Sequence, residues 1–276
     1  MNLRRAAVIG AVALALAAVA GAAILRQTRD LDEPIQSVAL NGRVHARVIL
    51  PAGYTTSQKR YPVVYFLHGL PATAKAYEGN DWIADAIATA GPAILVIPQG
   101  ARGNDTDPEY LNWGAGRNWE TYVSEEVPAY VDAHFRTIRS RAGRAIIGVS
   151  AGGYGAMILG LHHLGRFSVI ESWSGYFEPT DPSGTVVLER EPAASAVNLI
   201  GQVKADLKHL PTFLGFYVGS SDARFRDDNA RFNAELTAAH VPHDFDVYPG
   251  GHMTALWQRH AVAWLRIALK HLSATR

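Results

Sequence analysis

The spacing of apolar positions along the chain changes period repeatedly after Ile35. Short β-branched or aromatic runs predict strands at Val44–Leu50, Val63–Leu67, Ala93–Ile97, Ala145–Val149, Val169–Ser172, Phe213–Val218 and Phe245–Tyr248. Between them, apolar residues recur at helical spacing and predict helices over Trp82–Ala90, Trp119–Phe135, Ser150–Leu164, Asp228–Ala239 and Thr254–Leu272. In the last of these, Trp257, Ala261, Trp264, Leu265 and Ala268 fall on one face. Strands that alternate with helices predict an α/β fold, a mostly parallel sheet flanked by helices on both faces. Pro51-Ala52-Gly53 and the polar stretch after it allow the first two strands to pair antiparallel before the parallel part begins. The least regular stretch is Gly175–Pro211, which surrounds a short apolar segment, Val197–Val203. A loop of that length inside a compact domain is expected to be functional, as part of a substrate wall or a small cap.

The N-terminus follows a different pattern. Arg4 and Arg5 precede an uncharged run from Ala6 to Leu25, the order of a basic head and apolar stretch in an export signal. Ala18-Val19-Ala20 and Ala20-Gly21-Ala22 supply the small-x-small pattern of a cleavage site. The run also approaches the roughly 20 residues that span a bilayer. Residues 1–25 are therefore expected to be a signal peptide or a retained membrane anchor, with any membrane association made through residues 6–25. A twin-arginine route has only the arginine pair in its favour. The expected location is extracytoplasmic, either secreted or anchored. Residues 26–36 then read as a leader, and residues 37–276 as one catalytic domain.

Composition narrows this picture. A chain of 276 residues with 48% apolar content is long enough to bury ~70% of its unfolded surface, which excludes a disordered protein. Length alone allows two domains, but no repeat, low-complexity tract or composition shift divides the chain. The net charge of +1 becomes −1 once residues 1–22 are removed, so no basic surface is indicated for nucleic acid. The absence of cysteine excludes a disulfide framework, a thiolate metal site, a cysteine nucleophile and a lipid-modified cysteine.

Four motifs carry chemistry, each at the end of a predicted strand. Gly148-Val149-Ser150-Ala151-Gly152 lies between a strand and a helix, where a tight turn lifts the Ser150 hydroxyl off the sheet. The bland alternative is a glycine-rich helix start capped by Ser150. His68-Gly69-Leu70 follows the strand Val63–Leu67, and the Leu70 and Ala151 N–H groups are the expected oxyanion hole, fixed donors for the charge of acyl transfer. His68 itself reads as a packing group rather than the base. Gly219-Ser220-Ser221-Asp222 offers Asp222 as the acid that orients a histidine; Asp227 and Asp228 are rivals that read better as helix-start acids. Gly250-Gly251-His252 presents His252 as the base, whereas His162, His163, His260 and His271 fall inside helical patterns. The resulting order Ser150, Asp222, His252 is that of a nucleophile elbow, acid and base. No His-Glu-x-x-His spacing and no phosphate-binding glycine loop is present, so no metal and no cofactor are expected.

Tyr61-Pro62-Val63-Val64-Tyr65-Phe66-Leu67-His68-Gly69-Leu70, Gly148-Val149-Ser150-Ala151-Gly152-Gly153, Gly219-Ser220-Ser221-Asp222 and Tyr248-Pro249-Gly250-Gly251-His252 together resemble the esterase D-type α/β hydrolases. That family includes feruloyl esterases, S-formylglutathione hydrolases, siderophore esterases and bacterial mycolyltransferases. The resemblance runs from about Val38 to Leu269 and implies an α/β-hydrolase fold and a cofactor-free serine ester hydrolase. Its alternative is an acyltransferase that moves an acyl group onto an envelope sugar, and a non-catalytic hydrolase-fold binding protein is a third reading. Trp119-Glu120-Thr121 and Glu126-Val127-Pro128 look like the mycolyltransferase branch. That branch typically uses Glu as its triad acid, so Asp222 looks more like the feruloyl-esterase arrangement. The implied substrate is a small-molecule, glycan or lipid ester, of unspecified acyl chain and alcohol.

Overall fold

The computed structural model describes residues 29–103, 109–179 and 194–274. Eight strands form one sheet: β1 (Arg29–Ser37), β2 (Gly42–Leu50), β3 (Val63–Leu67), β4 (Ile94–Pro98), β5 (Arg144–Val149), β6 (Val169–Trp173), β7 (Phe213–Gly219) and β8 (Asp244–Tyr248). Their order across the sheet is β1-β2-β4-β3-β5-β6-β7-β8. From β4 to β8 every neighbouring pair is parallel, while β1 and β2 add an antiparallel edge.

Two helix layers cover the sheet, as an α/β-hydrolase fold requires. On one face lie α1 (Asp81–Ala90) and the C-terminal α6 (Thr254–His271). The other carries α2 (Trp119–Thr121, Tyr122–Glu126 and Val127–His134, with a π-helical middle), α3 (Ala151–His162), α4 (Ala196–His209) and α5 (Arg226–Ala238). The central strands face helices on both sides, so all five residues of β3 are buried. Val63, Tyr65 and Leu67 point into the larger core, and Val64 and Phe66 into the α1/α6 core. That is why β3 reads as an unbroken apolar run rather than an alternating one.

Three expectations need correction. Arg29–Ser37, assigned to a leader over 26–36, is strand β1 and pairs residue by residue with β2. Two of its acids are cross-strand partners rather than linker charges: Arg47 reaches Asp30 at 2.6 Å and His45 reaches Asp32 at 3.0 Å. Pro34 is tolerated because this is an edge strand. Secondly, β2 does not pair with β3. It pairs antiparallel with β4, since both edges of β3 are occupied by the parallel strands β4 and β5. Finally, the 175–211 stretch is not all irregular, because Ala196–His209 is a helix capped by Ser195, whose hydroxyl accepts from Asn198 N. Only Ala196, Leu199, Ile200 and Val203 of it are buried, so the apolar signal was short.

Residues 180–193 of that stretch, and the whole export segment with its cleavage motifs, lie outside the described residues. Among the described residues no helix is long and apolar enough to cross a membrane.

Candidate active site

After β3 the chain turns to one side to form β4, and after that to the other side to form β5. Parallel α/β sheets open a crevice at the carboxyl ends of the strands where the order reverses in this way. The turns after β3 and β5 lie there, and they carry Leu70 and Ser150.

Ser150 occupies a strained turn between β5 and α3, with φ 55° and ψ −124°. A non-glycine residue there costs of order 1–3 kcal/mol, which the surrounding packing must offset. Its N–H donates to Trp173 O at 3.0 Å, and its carbonyl accepts from Tyr154 N at 3.0 Å. The flanking glycines are needed for space. A Cβ at Gly148 would lie 2.0 Å from Gly152 O, and one at Gly152 would lie 2.0 Å from Leu67 O. The hydroxyl of Ser150 makes no capping bond to α3, which removes the reading of Ser150 as a helix cap.

Two further strand ends supply the acid and the imidazole. Asp222 follows β7 and is 1% exposed, and His252 follows β8. His252 Nε2 is 2.9 Å from Ser150 Oγ, and His252 Nδ1 is 2.8 Å from Asp222 Oδ2. The other carboxylate oxygen of Asp222 accepts from Arg224 N at 3.1 Å and Phe225 N at 3.2 Å. Burial pushes the Asp222 carboxyl up, but the hydrogen bond and charge of His252, with the Phe225 and Arg224 N–H groups, hold it below the usual carboxylate range.

The rival residues are engaged elsewhere. Asp227 is paired with Arg226 at 3.0 Å in the first turn of α5. Asp228 accepts from Phe177 N at 2.8 Å and pairs with Arg231 at 2.8 Å. His68 is buried, with Nδ1 3.0 Å from Gly69 O. Burial lowers its pKa, against a smaller opposing effect of that carbonyl, so it stays a neutral packing group. His162 and His163 both meet Glu120, at 2.9 Å each, on the far end of α3.

Gly69 backs directly onto the nucleophile, since a Cβ there would lie 3.0 Å from Ser150 Cβ. Leu70 therefore emerges beside Ser150 and is 48% exposed. Ala151 is the first residue of α3, where a backbone N–H has no acceptor within the helix. Met253, next to His252, is also exposed, at 52%. Among the described residues no group of three or more His, Asp or Glu side chains is arranged to hold a metal ion.

Residues that the sequence did not single out surround His252. Phe225 and Trp257 pack edgewise against its ring, and Trp257 Nε1 donates to Ser174 Oγ at 3.1 Å. Trp257 had a helical-face signal only, and Ser174 and Phe225 had none.

Residues 37–266 match the Esterase family model. An esterase from Mycobacterium tuberculosis is 27% identical over 248 residues, covering 79% of this chain and 54% of the relative. The chain thus spans about half the length of the curated relatives it matches first. The MPT51/MPB51 antigen of the same organism is 33% identical over 107 residues, 37% of this chain and 34% of the antigen. A solved ferulic acid esterase superposes with a TM-score of 0.74 at 26% identity, covering 89% of this chain and 100% of its own. The chain belongs to the esterase family, with the fold of the α/β hydrolases.

Proposed function

We propose that the protein is an exported serine carboxylic-ester hydrolase in which Ser150 is the nucleophile, His252 the general base and acid, and Asp222 the residue that orients and charge-balances His252. The observation that carries this reading is the continuous hydrogen-bonded line from Asp222 Oδ2 through both nitrogens of His252 to Ser150 Oγ, at 2.8 and 2.9 Å. In the first half-reaction His252 removes the Ser150 proton as Oγ attacks the ester carbonyl. The tetrahedral oxyanion is stabilised by the N–H groups of Leu70, on the turn after β3, and Ala151, on the nucleophile's own turn after β5. His252 then protonates the leaving alkoxide, leaving an acyl-Ser150 ester. In the second half-reaction His252 deprotonates water, and collapse of the new tetrahedral intermediate returns the proton to Ser150 Oγ and frees the acid. No step draws on a cofactor.

The N-terminal basic pair and uncharged run support an extracytoplasmic location, with residues 29–276 as the catalytic domain. Exposed Leu70 and Met253 beside the nucleophile and base favour an ester with an apolar portion. The same acyl-enzyme would pass its acyl group to a sugar hydroxyl in an acyltransferase; product analysis with an added sugar acceptor separates transfer from hydrolysis. The test of the proposal is labelling by a fluorophosphonate. Stoichiometric modification mapped to Ser150 supports it, and an unreactive wild-type protein, or equal labelling of Ser150→Ala, refutes it.

A further inference from the structure

The ring of His252 is held by more than its two hydrogen bonds. Phe225 lies 5.1 Å from it, centroid to centroid, at 67°, and Trp257 lies 5.3 Å away at 86°. Both aromatic rings are tied back to the backbone that carries Ser150. Trp257 Nε1 donates to Ser174 Oγ at 3.1 Å. Ser174 is fully buried with φ 51°, and its N–H donates to Tyr217 O at 2.7 Å. The residue before it, Trp173, accepts the Ser150 N–H at 3.0 Å. On the other route Phe225 stacks on Tyr176 at 5.0 Å and Tyr176 on Tyr154 at 4.9 Å. Tyr154 N donates to Ser150 O at 3.0 Å, and Tyr154 OH donates to Ala194 O at 2.8 Å. The nucleophile and the imidazole are therefore registered to each other by side chains that do not include the Ser150–His252 hydrogen bond.

That matters at one stage of the reaction in particular. In the free enzyme Asp222 and Ser150 both hold the ring. Once Ser150 Oγ is esterified it has no proton to share, and Asp222 alone restrains the imidazole by hydrogen bonding. A ring held at one nitrogen is free to tilt, and a small misplacement of a catalytic group costs up to ~10²-fold in rate. The ring must nevertheless stay aimed at the acyl carbonyl to take a proton from the attacking water. On the proposed Ser150–His252–Asp222 mechanism, we infer that Trp257, latched by Ser174, is a positioning residue that keeps His252 aligned during deacylation, with Phe225 as a second wall.

The test is pre-steady-state and steady-state kinetics of the full-length protein on p-nitrophenyl acetate, comparing wild type with Trp257→Phe, Ser174→Ala and the double variant. Trp257→Phe keeps an aromatic ring against His252 while removing the N–H donor and part of the indole area, and it leaves the buried Ser174 in place, so it guards against a folding defect in Ser174→Ala. In both single variants kcat is expected to fall about 5- to 20-fold, and KM to fall with it, because a slowed second step lets acyl-enzyme accumulate; kcat/KM should change by less than about 3-fold. A larger p-nitrophenolate burst should appear. The double variant should be no slower than the slower single variant, since both changes break one latch. Unchanged kcat in Trp257→Phe, a loss confined to kcat/KM, or additive losses would overturn the inference. Ser150→Ala separates the two levels. Full activity in that variant refutes the mechanism itself, whereas an inactive Ser150→Ala beside wild-type behaviour of both latch variants refutes the positioning role alone.

Discussion

His252 Nδ1 stands 2.8 Å from Asp222 Oδ2, and that carboxylate is 1% exposed and held by two backbone N–H groups. The acid is therefore held by contacts that do not involve the histidine, and it selects the tautomer in which Nε2 is free to accept from Ser150. Asp222→Asn keeps the size of the group but replaces an acceptor by an amide that can present N–H to the ring. The expected outcome is a fall in kcat of about 10²–10⁴ with an unchanged circular dichroism spectrum. Asp228→Asn, six residues along the chain from Asp222 and engaged with Arg231 and the Phe177 N–H, should retain kcat within about 3-fold.

The Glu120 site predicts a pH effect on stability that is separate from activity. Burial pushes the Glu120 carboxyl up, but hydrogen bonds and charge from His162 and His163 overcome it and bring the value to about 2, from 4.5. A folded value depressed below the unfolded one adds stability that is complete above the unfolded value and is lost as pH falls from about 4.5 toward 2. Urea midpoints measured at pH 6 and pH 3 should therefore differ more for wild type than for Glu120→Gln. The difference is expected to be about 1–2 kcal/mol after allowance for partial exposure, since only part of the shift is titrated by pH 3. Parallel losses in the two proteins would contradict it.

Glycine substitutions should separate the elbow from an ordinary helix. At Gly152 a Cβ would meet Leu67 O at 2.0 Å, and backbone on both sides has nowhere to move. Gly152→Ala is expected to cost about 3 kcal/mol or more and to appear as lost soluble yield or a large drop in Tm. Gly201 lies in α4 with nothing within 4 Å of the Cβ position, so Gly201→Ala should raise stability by about 0.5–1 kcal/mol.

Met253 and Leu70 present apolar surface beside the reacting groups. Met253→Ser is expected to raise KM for p-nitrophenyl esters of long acyl chains about 3- to 10-fold, at about 0.8 kcal/mol per CH₂ removed from water, with little change for the acetate. An equal effect on both esters would show that Met253 touches no part of the acyl chain.

What was legible in the sequence follows from burial. Strands β3, β4, β5, β6 and β7 are covered on both faces and appear as apolar runs between turn residues, so their positions are readable to within a residue or two. β1 carries Arg29, Asp30, Asp32 and Glu33 on an exposed edge, and its signal was pairing with β2, which no local pattern displays. The preference of β2 for β4 is likewise a choice between equally plausible partners, decided by the two parallel neighbours of β3. Ser150, Asp222 and His252 were visible because glycine-rich turns at strand ends are local in sequence, although they lie 30 and 102 residues from one another's partners along the chain. Ser174, Phe225 and Trp257 were not. Their relation to His252 is spatial only, and Trp257 doubles as a member of an apolar helical face.

The central claim is that Ser150 Oγ attacks the ester with His252 as its base. The most direct measurement is steady-state hydrolysis of p-nitrophenyl acetate by purified wild type, Ser150→Ala and His252→Ala, each checked for folding by thermal melt. Each single replacement is expected to lower kcat by ~10³–10⁶, and the double replacement to lower it no further, because the two groups act as a unit. Wild-type turnover by a folded Ser150→Ala protein would contradict it.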